Sequence, residues 1–238
     1  MRDADIALQH VAAAAPDANP AMRIVDLTSL GLVDYPVAVD AMNALVARPR
    51  SAPDIVLLLD HPLVATFGRA GGAEHLRGGG AVPVHQVARG GNVTMHAPGQ
   101  LIGYPIVQLA QLEGKVGTGP LGDLPAYVRL LEEALVAVCA KFGVTAYQRA
   151  GFSGVWCGET QKIASIGVGV RNGWALHGFA LNVDPDLAVF DAMVPCGLAG
   201  VRMTSLAEQL GGRGPTVPEV AGVVTVELQQ RLRRRTTY

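Results

Sequence analysis

Two reactive side chains, Lys162 and Cys196, stand within the stretch from Gly154 to Leu206, each surrounded by small and apolar residues. Such settings perturb the ionisation of lysines and cysteines. A thiol is a strong nucleophile only as the thiolate, and a free cysteine is mostly protonated near neutral pH. A lysine ammonium close by lowers the thiol pKa, and the lysine, once deprotonated, can serve as a base. The two lie too far apart in sequence to share a helix face, so only the fold could join them. Pro195 and Gly197, on either side of Cys196, imply a defined turn with backbone N–H groups nearby, the setting of a nucleophile beside an oxyanion site. On spacing alone a buried structural cysteine is an equal reading. Cys157 is a rival nucleophile, and its nearness to Lys162 in sequence is no argument for nearness in space. Lys162 lies in the run K-I-A-S-I-G, where a solvated lysine is less expected, yet an isolated lysine there is only a hint.

A second candidate is the segment from Arg89 to Gln100, R-G-G-N-V-T-M-H-A-P-G-Q, whose glycines would let a backbone approach a ligand and turn its N–H groups towards it. It is neither GxGxxG nor the phosphate loop GxxxxGK followed by Ser or Thr, so no motif supports nucleotide binding. A tight structural turn is as good a reading as a ligand loop. His96 and His177 could be acid–base groups, metal ligands or hydrogen-bonded structural histidines. Neither has an H-x-x-x-H or H-E-x-x-H partner, which speaks against a metal.

The elements that must position these residues alternate between strand-like and helix-like patterns. Residues 1–22 are Ala-rich with Pro16 and Pro20 and read as a flexible leader with a possible helical turn. Met22 to Leu27 suits a first strand, Asp34 to Arg48 a helix closed by Pro49, and the apolar run Asp54 to Asp60 a strand buried on both faces. Gly68 to Gly80 is a loop, Val82 to Val87 a strand, and Leu101 to Leu109 another. Gly114 to Gly122 is a loop before the strongest helix, capped by Asp123, striped by Leu124, Val128, Leu131, Leu135, Val138 and Phe142, and stopped at Gly143. Cys139 lies beside that stripe as a core thiol. Strands follow at Val155 to Cys157, Lys162 to Val170 and Trp174 to Val183, with Asn172-Gly173 as a hairpin turn between the last two. Asp186 to Phe190 suits one helical turn, and Thr204 to Leu210 and Pro218 to Leu232 read as closing helices. The order predicts residues 23–238 as one α/β domain, of the α+β kind, with a mixed sheet flanked by helices.

Composition narrows the function. Half of the chain is hydrophobic (50%), 16% is charged and 5% aromatic, enough for a sizeable core built mainly of Ala, Val and Leu. A formal charge of -1 offers no field for nucleic acid or an acidic membrane. The basic cluster Arg231, Arg233, Arg234 and Arg235 reads as a solvated helix end complementing the macrodipole. Three cysteines without a CxxC pair suit neither a disulfide framework nor structural zinc. With no apolar run of membrane-spanning length and an acidic N-terminus, a cytoplasmic protein is expected.

Four blocks in order resemble the octanoyltransferases of lipoate assembly. That family carries R-G-G-x-V-T-Y-H-G-P-G-Q, K-I-A-S-x-G, H-G-x-A-L-N-V and P-C-G-x-x-G…T-S-L. These match Arg89 to Gln100, Lys162 to Gly167, His177 to Val183 and Pro195 to Leu206, with weaker echoes at Val33-Asp34-Tyr35 and His61-Pro62. The resemblance implies the fold of the biotin and lipoate protein ligase catalytic domains. It implies that Cys196 forms an acyl-thioester intermediate and that Lys162 lowers its pKa. It implies substrate binding by Arg89, Gly90, Gly91, Asn92, Val93, Thr94, Met95 and His96, by Ser165, Ile166 and Gly167, and by Gly178, Phe179 and Ala180. Met95 replaces the family's tyrosine and removes a hydroxyl, and Ala97 replaces a glycine.

By the same resemblance the donor is octanoyl acyl carrier protein. The acceptors are lysines on lipoyl domains of 2-oxoacid dehydrogenase complexes and on the glycine cleavage H protein. No cofactor, metal, nucleic acid or membrane is implied. The rival is an ATP-dependent lipoate or biotin protein ligase, which shares the fold and a K-I-x-G-type lysine but needs no cysteine nucleophile. An acyl-binding scaffold with a degenerate site is the non-enzymatic alternative, disfavoured because both reactive residues are present.

Overall fold

The structure, a computed structural model, describes residues 3–13, 22–72, 82–117, 122–192 and 200–234. The apolar run after Asp54 becomes β2 (Ile55–Leu59), buried throughout. Its pleat sends Val56 and Leu58 into one core and Ile55, Leu57 and Leu59 into another, so the strand needs no polar alternation. The main sheet runs, in spatial order, β1 (Arg23–Asp26), β2, β6 (Gln100–Ile106), β10 (Trp174–Asn182), β9 (Gln161–Arg171), β8 (Phe152–Gly158) and β7 (Tyr147–Arg149). β1 and β2 are parallel and the other neighbours antiparallel, so the sheet is mixed as expected. Asn172 and Gly173 join β9 to β10 with φ of 55° and 82°, the two left-handed residues that a twisted two-residue hairpin requires. Where β10 ends, β11 (Arg202–Met203) takes its place beside β9, in parallel with Gln161 and Lys162.

Helices cover both faces. On one, α3 (Leu124–Lys141) and α5 (Val217–Arg231) bury Leu131, Leu135, Val138, Val220, Val224 and Leu228 against Ile166, Phe179 and Leu181 of the sheet. Asp123 caps α3 by accepting from the Ala126 amide at 2.9 Å, and Cys139 is fully buried among the core residues. On the other face α2 (Tyr35–Val46) packs over Leu57, Leu59, Ile102, Trp174 and Leu176. A short helix, α4 (Leu206–Gln209), capped by Ser205, precedes α5.

Several expectations change. The leader holds more than one helical turn: α1 (Asp3–Ala13) packs on α2 with Leu8 buried, and Asp5 accepts from the Asp34 amide at 3.0 Å. The Arg89–Gln100 segment is neither only a turn nor only a loop. It contains β5 (Val93–His96), which joins β3 (Val64–Phe67) and β4 (Val84–Gln86) in a second, three-stranded sheet. β3 and β7 had no sequence counterpart. Arg234 is not solvated: it forms a two-pronged pair with buried Asp54 at 2.7 and 2.8 Å and donates to Ala52 O, tying the chain's end to the start of β2. Among the described residues no helix is long and apolar enough to cross a membrane.

Candidate active site

Between the small sheet and the α2 side of the main sheet lies a cleft of about 300 Å³, mouth included. Strand pleating decides which of the anticipated residues reach it. On β5, Thr94 and His96 line the cleft, whereas Val93 and Met95 enter a third core with Phe67, Phe190 and Met203. Met95, which stands where the resembling family has tyrosine, is thus a core residue here. On β9, Ser165 and Gly167 line the cleft and Ile166 packs towards α3. Gly178, Phe179 and Ala180 line it from β10 and Arg89 from the segment before β5. Gly90, Gly91 and Asn92 do not line it. Gly90 instead fastens the segment to β9 by donating to Val168 O at 2.9 Å.

Arg89 is almost wholly buried. Its Nη2 donates to Thr66 O and Thr66 Oγ1 at 2.9 and 2.8 Å, and Nη1 to Gly90 O at 2.9 Å. A Cβ at Gly167 would come within 2.9 Å of Arg89 Cδ, so the bare strand there makes the room for this side chain. Around it stand rings from distant parts of the chain: Tyr35 stacks on His96 at 5.9 Å, His61 meets His96 edge-on at 5.5 Å, and Tyr104 meets His177 at 6.4 Å. His61 Nδ1 lies 2.6 Å from Val33 O, which can only accept, so Nδ1 carries the proton. His61 Nε2 in turn lies 2.9 Å from the Tyr104 hydroxyl, which links the two rings.

Burial fixes the charge states. It drives the His96 pKa well below its ordinary value, aided by His61 and Arg89, and lowers His177 to about 4, aided by Arg89 and Arg171. Burial also raises Tyr35 to about 12 and Tyr104 well above its ordinary value, with Arg89 opposing in both. At neutral pH these four rings are uncharged, and the guanidinium of Arg89 supplies the positive field they share. Among the described residues, buried His96 Nδ1 meets no hydrogen-bond partner, and His177 holds a left-handed φ of 58° that few side chains adopt. Such a cleft can seat a polarised carbonyl or a carboxylate head and exclude water around it.

The matching blocks meet in one hydrogen-bonded chain of buried groups. Gln100 Oε1 accepts from the Ala97 amide at 3.1 Å, and Gln100 Nε2 donates to Asn182 Oδ1 at 2.7 Å. Asn182 Nδ2 in turn donates to Thr204 O at 2.8 Å. Next to this chain, Asp60 accepts from the amides of His61 and Gly99 at 2.7 and 2.8 Å.

Lys162 is 2% exposed and sits on β9, three positions before Ser165, without lining the cleft itself. Its Nζ lies 5.3 Å from the centre of the Trp156 ring. Cys196, with Pro195 and Gly197, lies outside the described residues. β11, which starts at Arg202, six positions after Cys196, pairs with the strand at Lys162, and the Thr204 amide donates to Lys162 O at 3.0 Å. The two described cysteines are poor nucleophiles. Burial pushes Cys139 up to about 12 and half-buried Cys157 up to about 11. Among the described residues no group of three or more His, Cys, Asp or Glu is arranged to hold a metal ion.

Sequence reasoning missed Tyr104 and the pairing of Tyr35 and His61 with His96. Tyr104 carried one signal, a polar tip inside the otherwise apolar run Leu101 to Val107, which a buried strand must satisfy.

The chain resembles known proteins over most of its length. The family model described as lipoyl protein ligase A/B catalytic domain matches residues 34–229. A Mycobacterium tuberculosis octanoyltransferase is 46% identical over 206 residues, covering 85% of this chain and 85% of its own. An octanoyltransferase of Mycobacterium sp. strain KMS is 44% identical over 212 residues, covering 87% and 84%. In fold, the chain is similar to the bipartite lipoate protein ligase of Thermoplasma acidophilum, solved in a study of that ligase and its E2 lipoyl domain, with a TM-score of 0.65 at 16% identity, covering 92% and 87%. A lipoate-protein ligase A bound with ATP gives 0.65 at 14%, covering 92% and 90%. At these identities the likeness to the ligases is one of fold.

Proposed function

The chain belongs to the octanoyltransferases of the lipoyl protein ligase A/B catalytic family, and from that premise we propose that it moves an octanoyl group from acyl carrier protein to a lysine of a lipoyl domain through a thioester on Cys196. The observation that carries this reading is that Arg89, Thr94 and His96 of one block and Ser165, Gly167, Gly178 and Ala180 of two others line one cleft, with buried Lys162 on the same strand as Ser165. In the first step the Cys196 thiolate attacks the donor carbonyl carbon. The new S–C bond forms as the bond to the carrier sulfur breaks, and that sulfur leaves with a proton from Lys162. In the second, the acceptor amine attacks the acyl-enzyme, a C–N bond forms, the Cys196 S–C bond breaks, and Lys162 takes the amine proton. Arg89 and the uncharged rings around it bind and orient the acyl head, and Ala180 offers apolar surface to the acyl chain. The acceptors are the lipoyl domains of 2-oxoacid dehydrogenase complexes and the glycine cleavage H protein.

A thioester already carries its activation, so the reaction needs neither ATP nor metal. The test is incubation with octanoyl acyl carrier protein in nucleotide-free buffer with chelator. Intact mass should rise by one octanoyl group, lost in Cys196→Ala and retained in Cys157→Ser. A strict need for ATP and Mg²⁺, or an adduct mapped to Cys157, would overturn the reading in favour of a ligase or another nucleophile.

A further inference from the structure

A second groove meets the cleft at His177, which lines both. It encloses about 650 Å³, mouth included. Val39 and Met42 of α2 and Val170 and Leu176 of the β9–β10 hairpin give it apolar walls. Arg69 and Arg171, both exposed, stand at its rim, and among the described residues no carboxylate lines it. Arg171 is held in place by donating through Nη2 to Asn43 Oδ1 at 2.9 Å. Arg69 sits on a backbone tied to the cleft, its amide donating to Arg89 O at 3.0 Å. Neither guanidinium has a carboxylate partner among the described residues.

We propose that this groove receives the phosphopantetheine arm of the donor, with its phosphate at Arg69 and Arg171 and its thioester delivered past His177 into the cleft. The proposal rests on the transferase reading and adds to it where the donor enters. Two guanidiniums attract a phosphate through charge-assisted, fork-shaped hydrogen bonds and repel the ammonium of an incoming lysine, so the groove suits the donor and not the acceptor. The chain as a whole carries a formal charge of -1, so this positive rim is local and not part of a general basic field. The apolar walls fit the methyl and methylene groups of the arm, and Asn43 and Gln86 in the lining can meet its amides and hydroxyl. His177, in a conformation that only a surrounding structure can hold, forms the wall where the two spaces meet.

The experiment compares kcat/KM for octanoyl transfer from octanoyl-4′-phosphopantetheine and from octanoyl-pantetheine, which lacks only the phosphate. The wild type should favour the phosphorylated donor about tenfold, the size of one charge-assisted contact. Arg69→Gln and Arg171→Gln should each cut that ratio several-fold, and the double variant should bring it near one, with melting temperatures unchanged. Equal use of the two donors by the wild type, or an undiminished ratio in the double variant, overturns the proposal. A protein that acquires no octanoyl group from either donor or from the intact carrier overturns the transferase reading, and this one with it.

Discussion

Lys162 packs against the bare Cα of Gly154: a Cβ there would stand 2.5 Å from Lys162 Cε, 3.1 Å from Nζ and 2.5 Å from the Ala164 carbonyl oxygen. Gly154 has a φ of +113°, which L side chains rarely adopt. Its amide donates at 2.8 Å to Glu132 Oε1, on a side chain with no exposure that Arg129 pairs at 2.5 Å. The face of Trp156 lies on the ammonium at 5.3 Å. The missing side chain, the glutamate anchor beneath it and the indole together define where a buried lysine can run.

Gly154→Ala should therefore displace Lys162. Overpacking costs about 1–3 kcal/mol, to which the strained φ adds. If Lys162 tunes Cys196, the pH of half-maximal Cys196 alkylation should rise, measured with Cys139 and Cys157 replaced. Gly151→Ala is the matched control, since Gly151 has a φ of +81° but nothing within 4 Å of a built Cβ. It should lose stability without moving the thiol titration. A shift of equal size in both variants would show a general effect of strain.

Asn182 links the Gln100 side chain to the Thr204 carbonyl with every polar atom buried. Asn182→Asp removes the donor and sets a carboxylate oxygen against Thr204 O, which should cost about 3 kcal/mol at neutral pH. Protonation of the new carboxyl would restore a donor, so the loss should shrink as pH falls. The sign follows from linkage. Burial raises the folded-state pKa of the new carboxyl above its unfolded value of about 3.9, so its stabilising form is present at low pH and lost as pH rises through the folded pKa. Urea unfolding of wild type and variant at pH 7, 6 and 5 checks this, and a pH-independent gap would count against the hydrogen-bond account.

Much of the frame was legible because its signals are local. Asp123 before a stripe of Leu and Val, Asn172-Gly173 between two apolar runs, and the unbroken run Ile55 to Leu59 each state their structure within a few residues. β3, of four residues, and β7, of three, are too short to display a period, and both depend on partners elsewhere in the chain. The ring cluster was illegible for the same reason. Tyr35, His61, His96, Tyr104 and His177 come from separate elements, and nothing local says that they meet around Arg89. Arg234 misled because a basic run after a helix suits solvent equally well, and only the tertiary fold brings Asp54 to it.

His177 should leave a mark on stability against pH. Its pKa is lowered from 6.5 to about 4, first by burial and then by Arg89 and Arg171. The unfolded chain therefore takes up a proton below about pH 6.5 while the folded chain does not until about pH 4, so this histidine's contribution is full above 6.5 and lost as pH falls through that window. The loss amounts to roughly 3 kcal/mol, at about 1.4 kcal/mol per unit. Buried His96 has the same sign. Asp60 opposes them: burial raises it from 3.8 to about 6, so the folded chain binds its proton first and gains stability as pH falls through that range. A single wild-type profile mixes these effects, and the difference from His177→Asn separates one of them. Asparagine tolerates the left-handed φ of 58° and does not titrate. Unfolding free energies at pH 7, 6, 5 and 4.5 should show the variant losing about 2–3 kcal/mol less than wild type across the series. Parallel profiles would mean that His177 takes up its proton equally in both states, and that the cleft does not hold it neutral.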